Sequence, residues 1–111
     1  MTRKKALTDL RDKVAAGELP PEINAIELFR RWSVFDGPNK RFADLAYWGS
    51  LDAALALHNA VLPGWRWEGG SGAGIFAVWD KPDEAHKGRS DNPARAFLLA
   101  ILSALIAECD E

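Results

Sequence analysis

Apolar residues recur at intervals of three and four along the first part of the chain, the spacing of an amphipathic helix. Leu7, Leu10 and Val14 form such a stripe, and Gly17 is placed where a helix commonly ends. This pattern predicts a first helix that begins near Arg3 and stops at Gly17.

A second apolar stripe follows Pro20-Pro21 and predicts a helix ending near Trp32. Its apolar members are Ile23, Ile26, Leu28 and Phe29. Residues 36–39, Asp-Gly-Pro-Asn, predict an exposed turn. The pattern of residues 42–48 fits no single element, so their structure stays open.

Ser50 is a suitable N-cap for a third helix, which Pro63-Gly64 should end. Its apolar face contains Leu51, Ala54, Leu55 and Leu62, with His58 between them. After this helix the period changes from that of a helix to that of a strand. Residues 65–68 alternate apolar and charged side chains, as a half-buried strand does.

Residues 75–79 predict the second arm of a β-hairpin, and the glycine-rich residues 69–74 predict its tip. If Glu68 faces Ile75, then Trp67 faces Phe76 and Trp65 faces Val78, and these four apolar side chains share one sheet face. Ile75 and Trp79 then lie on the other face. A slip of one residue would reverse this assignment for the second strand.

The polar residues 81–90 predict an exposed loop, and Asn92-Pro93 predicts the start of a closing helix. Apolar residues surround much of that helix, which predicts a long helix in the core. The expected fold is therefore an α+β domain over residues 1–111. Three to four helices should pack around a short antiparallel β-hairpin.

Composition narrows the function classes without selecting one. Residues 1–41 hold nine basic and six acidic side chains, and residues 42–111 hold five and ten. This asymmetry could steer a charged partner, but a domain built mainly for nucleic acid usually has a clearer basic excess, so nucleic-acid binding is a minority interpretation. A single cysteine, Cys109, allows no internal disulfide. With no apparent secretory signal or membrane span, we expect a cytoplasmic protein without a membrane partner.

The elements of residues 50–107 resemble a known family. The segments SLDAALAL, LPGWRW, AVW and NPARAFLLAILSAL resemble, in this order, the small phage-associated ABA-sandwich domain family. The resemblance implies a phage or prophage source, with Ser50, the Pro63-Gly64-Trp65 junction and Asn92-Pro93 as structural positions. Members of that family are largely uncharacterised, so it implies no catalytic residue.

The residues that could carry chemistry do not form a catalytic or metal-binding pattern. His58 lies on an apolar stripe and is expected to be packed, and His86 is expected in a solvated loop. The Gly70-x-Gly72-x-Gly74 string precedes a predicted strand, whereas a phosphate loop opens a helix. We therefore expect no enzyme activity, cofactor or metal.

Five tryptophans are many for this length, and they suggest an interaction surface. Trp65 and Trp67 are expected in the core. The candidate surface residues are Trp32, Trp48, Ile75, Trp79, Lys87 and Arg89.

The leading hypothesis is a non-catalytic, phage-derived module that binds a host or phage protein, such as an inhibitor of a bacterial defence complex. The alternative is an accessory protein that binds nucleic acid or nucleotide through its basic N-terminal residues or the Lys87/Arg89 loop. A small enzyme ranks third. A homodimer through an open sheet edge is a further expectation.

Overall fold

A computed structural model describes residues 2–17, 24–69 and 74–109. These ranges contain five helices and a three-stranded antiparallel sheet, so the predicted α+β class is confirmed. The elements, in chain order, are α1 (Arg3–Ala16), α2 (Ala25–Arg31), α3 (Asn39–Tyr47), α4 (Leu51–Val61), β1 (Arg66–Gly69), β2 (Ile75–Trp79), β3 (His86–Arg89) and α5 (Pro93–Glu108). The strands lie side by side in the order β1-β2-β3.

Helix α5 is the centre of the packing, as its apolar sequence predicted. It contacts α1, α3 and α4 and also covers β2 and β3 of the sheet. Its buried residues are Ala94, Ala96, Phe97, Leu98, Leu99, Ala100, Ile101, Leu102, Ala104 and Leu105. A helix that is apolar on nearly all sides is stable only when other elements enclose it.

The predicted helix ends are confirmed by their hydrogen bonds. Gly17 adopts a left-handed conformation with φ of 67°, and its N–H donates to carbonyls of the last turn of α1. Ser50 accepts a hydrogen bond from the Ala53 N–H at the start of α4. Asn92 accepts from the N–H groups of Ala94 and Arg95 at the start of α5.

The second helix exists, but its apolar stripe is not buried. Helix α2 has seven residues, none of them fully buried; it contacts α3, and Leu28 is partly buried against the core. Ile26 is 69% exposed and Phe29 is 58% exposed. Helical periodicity predicted the element correctly, but it could not tell whether a neighbour covers the stripe. The prolines and Ile23 predicted at its start lie outside the described residues.

Of residues 42–48, which the sequence pattern left open, 42–47 lie in α3 and Trp48 is its C-cap. Arg95 of α5 binds the C-terminal end of this helix. Its Nε and Nη2 donate to the Tyr47 carbonyl oxygen at 3.2 and 3.1 Å, and its guanidinium lies 4.0 Å from the centre of the Tyr47 ring. Arg95 thus satisfies a free helix-end carbonyl and adds a cation–π contact.

The β-hairpin has the predicted faces but not the predicted register. Trp67 lies opposite Val78 rather than Phe76, and Phe76 lies opposite Gly69. The difference is two residues, so each side chain keeps its predicted face. Gly69 explains the pairing, because a β-carbon there would lie 2.6 Å from the Phe76 ring. Only a glycine admits the ring at that point.

The prediction of an exposed loop at residues 81–90 is wrong for the second half of this segment, because residues 86–89 form β3. This strand pairs with β2 and packs on α5, although its side chains are mostly polar. Gly88 is its buried residue. A β-carbon at Gly88 would overlap the Ala96 carbonyl oxygen and the Ala100 nitrogen, and it would lie 2.7 Å from Cβ of Leu99. The strand is therefore held by close approach of backbones.

We predict that Gly88→Ala lowers the free energy of unfolding by about 3 kcal/mol, because the overlap is with backbone atoms that cannot rotate away. Denaturant unfolding followed by tryptophan fluorescence measures this loss. Gly37→Ala is the control. It has a left-handed φ of 51° but nothing within 4 Å of the added carbon, so it should cost about 1 kcal/mol. Equal losses would contradict the packing described for β3.

Candidate functional site

One face of the sheet is covered by α5, and no helix among the described residues covers the other face. Phe76, Val78 and Gly88 are buried on the face that packs against α5, which we call the inner face. Trp67, Gly69 and His86 pair with these residues and therefore also lie on the inner face. Because successive side chains of a strand point to opposite sides, the alternate positions form the outer face. The outer face consists of Arg66, Glu68, Ile75, Ala77, Trp79, Lys87 and Arg89.

Strand pairing arranges the outer face in three rows. In the first row Arg66 is paired with Trp79. The second row is Glu68, Ala77 and Lys87. In the third row Ile75 is paired with Arg89. Side chains directly opposite one another in a sheet are neighbours, with β-carbons about 5 Å apart.

The outer face thus has an apolar strand along its middle and charged side chains on both sides. Ile75 is 37% exposed, and Ala77 and Trp79 are partly exposed. The four charged residues are all exposed, three of them cations and one an anion. Among the described residues none of these four side chains is in a salt bridge. The face therefore carries positive charge on a chain whose net charge is −2.

Four of the six candidate surface residues come together on the outer face: Ile75, Trp79, Lys87 and Arg89. Trp48 is 41% exposed but lies at the end of α3, in edge-to-face contact with Tyr47. The sequence predicted Ile75 and Trp79 in a strand and Lys87 and Arg89 in a loop. Because residues 86–89 instead form β3 beside β2, the four side chains lie on the same face.

The surface placement of Trp32 is wrong. Its side chain is fully buried, and its Nε1 donates to Oδ1 of Asp44 at 3.1 Å. A tryptophan can be enclosed in this way when its N–H finds an acceptor. Position near a helix end did not reveal this partner, because Asp44 is twelve residues away on the next helix.

Sequence reasoning missed Arg66 and Glu68 as members of the candidate surface. Both lie on β1 and are exposed. The alternation of apolar and charged residues at 65–68 predicted the strand and the direction of these side chains. It did not show that two further strands bring Trp79 and Lys87 to the same rows.

The expectation that Trp67 belongs to the core needs correction. Its ring contacts Phe76 and Phe97, with centroids 6.1 and 5.2 Å away, but the side chain remains 41% exposed. It borders a groove of about 220 Å³ between α4 and the inner face, to which Leu51 and Leu55 contribute. Trp65 is half-buried, with its ring centre 6.0 Å from that of His86.

The two histidines are in different surroundings. His58 is buried, as expected, with its ring 5.5 Å from Phe97 and Nδ1 3.3 Å from Oδ1 of Asn59. Nε2 is buried without a hydrogen bond of good geometry, although the nearby Arg66 backbone favours the protonated ring. Burial outweighs both contacts and lowers the pKa of His58. His86, expected in a loop, lies in β3.

Other chemistry that the sequence raised is not supported by the described geometry. Nowhere in the described ranges do three or more His, Cys, Asp or Glu side chains gather where they could hold a metal ion. A strand, β2, begins immediately after Gly74, as the hairpin interpretation predicted. Residues 70–73 of the glycine string lie outside the described residues.

Comparison of the chain with protein family models, curated proteins and solved structures finds no match. The resemblance to the phage ABA-sandwich family therefore stays a prediction. In the part of the chain that the structure describes, no helix is both long enough and apolar enough to cross a membrane.

We predict that the stability of the fold decreases as the pH falls below about 6.5, the ordinary pKa of histidine. The folded state holds His58 neutral, whereas the unfolded chain binds its proton more readily, so protonation favours unfolding. Chemical denaturation between about pH 5 and pH 7.5 should show a shallower dependence for His58→Gln than for the wild type. An identical slope in both proteins would contradict this role of His58.

Proposed function

We propose that this chain is a non-catalytic protein-interaction module whose outer face binds an acidic surface of another protein. The observation that carries the proposal is the juxtaposition of Ile75 and Trp79 with Arg66, Lys87 and Arg89 on one open sheet face. None of the helices described packs against this face, because α5 and its neighbours cover the inner one.

The outer face has the composition of a protein interface. Interfaces combine an apolar centre with a polar rim, and tryptophan and arginine are the residues whose removal most often costs affinity. Here Ile75, Ala77 and Trp79 form the centre, and the cations stand on the strands to either side. A partner that presents carboxylates around an apolar side chain would match both features.

The size of the face limits how tightly one chain can bind. Three strands about 4.8 Å apart and four to five residues long span an area of about 200–240 Å². A standard interface buries about 800 Å² on each partner. The outer face alone therefore suits a weak or transient contact, and tight binding requires adjoining surface or a second copy of the sheet.

The phage resemblance supports a more specific version of the proposal. A phage-derived module would act on a host or phage protein inside the bacterial cell, and inhibition of a defence complex is one such role. The whole protein has a net negative charge, but the positive charge of the outer face attracts acidic partners and repels basic ones.

The second candidate function is binding of single-stranded nucleic acid at the same face. Trp79 is paired with Arg66, and Lys87 lies in the next row; an aromatic ring near cations can stack on a base. We rank this candidate second because the face offers one aromatic ring and also carries Glu68. Nucleic-acid binding would weaken steeply with salt, since phosphate contacts release counterions.

The test is affinity capture from lysate of the source organism, with K87E/R89E and Trp79→Ala compared with the wild type. We expect each variant to recover at least tenfold less of a specific protein partner, because the variants remove the cations or the apolar anchor. Quantitative mass spectrometry before and after nuclease treatment measures the recovery. A shift to nucleic acid lost on nuclease treatment would favour the second candidate.

The matched control is R11E/K13E, which makes the same change of charge on a different element, α1. It should leave capture unchanged. If R11E/K13E abolished capture and K87E/R89E did not, the basic N-terminal residues would be the binding surface and the outer-face proposal would be wrong. Circular dichroism of each variant checks that the fold is retained.

A further inference from the structure

Strand β1 is an open edge of the sheet. Within the described residues it pairs only with β2, and all four of its residues are exposed. An open edge presents unpaired backbone N–H and C=O groups that can pair with another strand. Proteins usually protect such edges with short strands, charged side chains, bulges or covering elements.

The charges of β1 favour pairing with a second copy of the same strand. Arg66 and Glu68 precede and follow Trp67 in the strand, and their side chains lie on the outer face with charges of opposite sign. If two copies pair antiparallel about Trp67, Arg66 of each copy lies directly opposite Glu68 of the other. The two-fold symmetry produces this favourable pair twice.

Trp67 adds an apolar contact at the centre of the same arrangement. Its side chain is 41% exposed on the inner-face side of β1, although it already packs on Phe76 and Phe97. In the paired arrangement the two Trp67 rings are cross-strand neighbours and shield each other from water. Aromatic cross-strand pairs are among the contacts that stabilise sheets.

The other edge of the sheet does not have this self-complementarity. An antiparallel pair of β3 strands centred on Gly88 would place Lys87 opposite Arg89 of the second copy, twice. Like charges directly opposite each other are destabilising. The charge pattern therefore distinguishes the two edges, favouring self-association at β1 and opposing it at β3.

We propose that this protein forms a homodimer through antiparallel pairing of β1 with β1 about Trp67. The product is a six-stranded sheet with two outer faces side by side. The dimer does not depend on the proposed function, but it doubles the area that the outer face offers a partner.

Charge reversal tests the proposed register. R66E and E68R each place like charges opposite one another at both pairs and should weaken the dimer at least tenfold. The double variant R66E/E68R restores opposite charges and should dimerise like the wild type. Equimolar R66E and E68R should form a mixed dimer. Sedimentation equilibrium measures the association against the 12.2 kDa mass of one chain, and native mass spectrometry identifies the mixed dimer.

K87E/R89E is the control, because it changes charges of the opposite edge and should leave the dimer unchanged. A wild-type protein that stays monomeric up to about 1 mM would overturn the proposal. A dimer that neither single reversal weakens would also overturn it, since the contact would then lie elsewhere. The two proposals fail in different ways. If K87E/R89E still captured the partner while the dimer behaved as described, only the outer-face proposal would be wrong.

Discussion

The close approach of Gly88 to the backbone of α5 is the constraint on which the sheet depends. Hydrophobic side chains hold the hairpin, since Phe76 and Val78 of β2 are buried against the helix layer. Strand β3 has no such side chain and docks because a glycine lets its backbone reach Ala96 and Ala100. The short side chains of these alanines leave room for that contact. A third strand strengthens a hairpin that would be marginal alone.

The same glycine also determines where the charges of β3 lie. Because alternate residues of a strand point to opposite faces, burial of Gly88 directs Lys87 and Arg89 outward, beside the apolar residues of β2. The outer face is thus a consequence of core packing. The residues proposed to bind a partner lie on strands that the helix layer holds in place, an arrangement that keeps the side chains in fixed relative positions. The opposite charges of Arg66 and Glu68 on β1 favour antiparallel pairing of two copies, which places two outer faces side by side.

The sequence predicted the elements that local rules control. Helix ends at Gly17, Ser50 and Asn92 follow from capping chemistry, and the core position of α5 follows from its composition. The rules failed where a tertiary contact decides the outcome. Strand β3 has no apolar alternation, since its packing residue has no side chain, and Trp32 is buried because Asp44 on another helix accepts its N–H. Four of the six candidate residues lie together on the outer face, and pairing with β3 was needed to place them there.

The most direct test of this account is an NMR measurement of the contact between Gly88 and α5 in the wild-type protein. The packing predicts nuclear Overhauser effects from the α protons of Gly88 to the amide proton of Ala100 and to the β protons of Leu99. It also predicts slowed amide exchange in β3, as expected for a paired strand. Absence of these effects, together with rapid exchange across residues 86–89, would show that this segment is an open loop. The outer face would then lose Lys87 and Arg89, two of its three cations, and the central claim would be wrong.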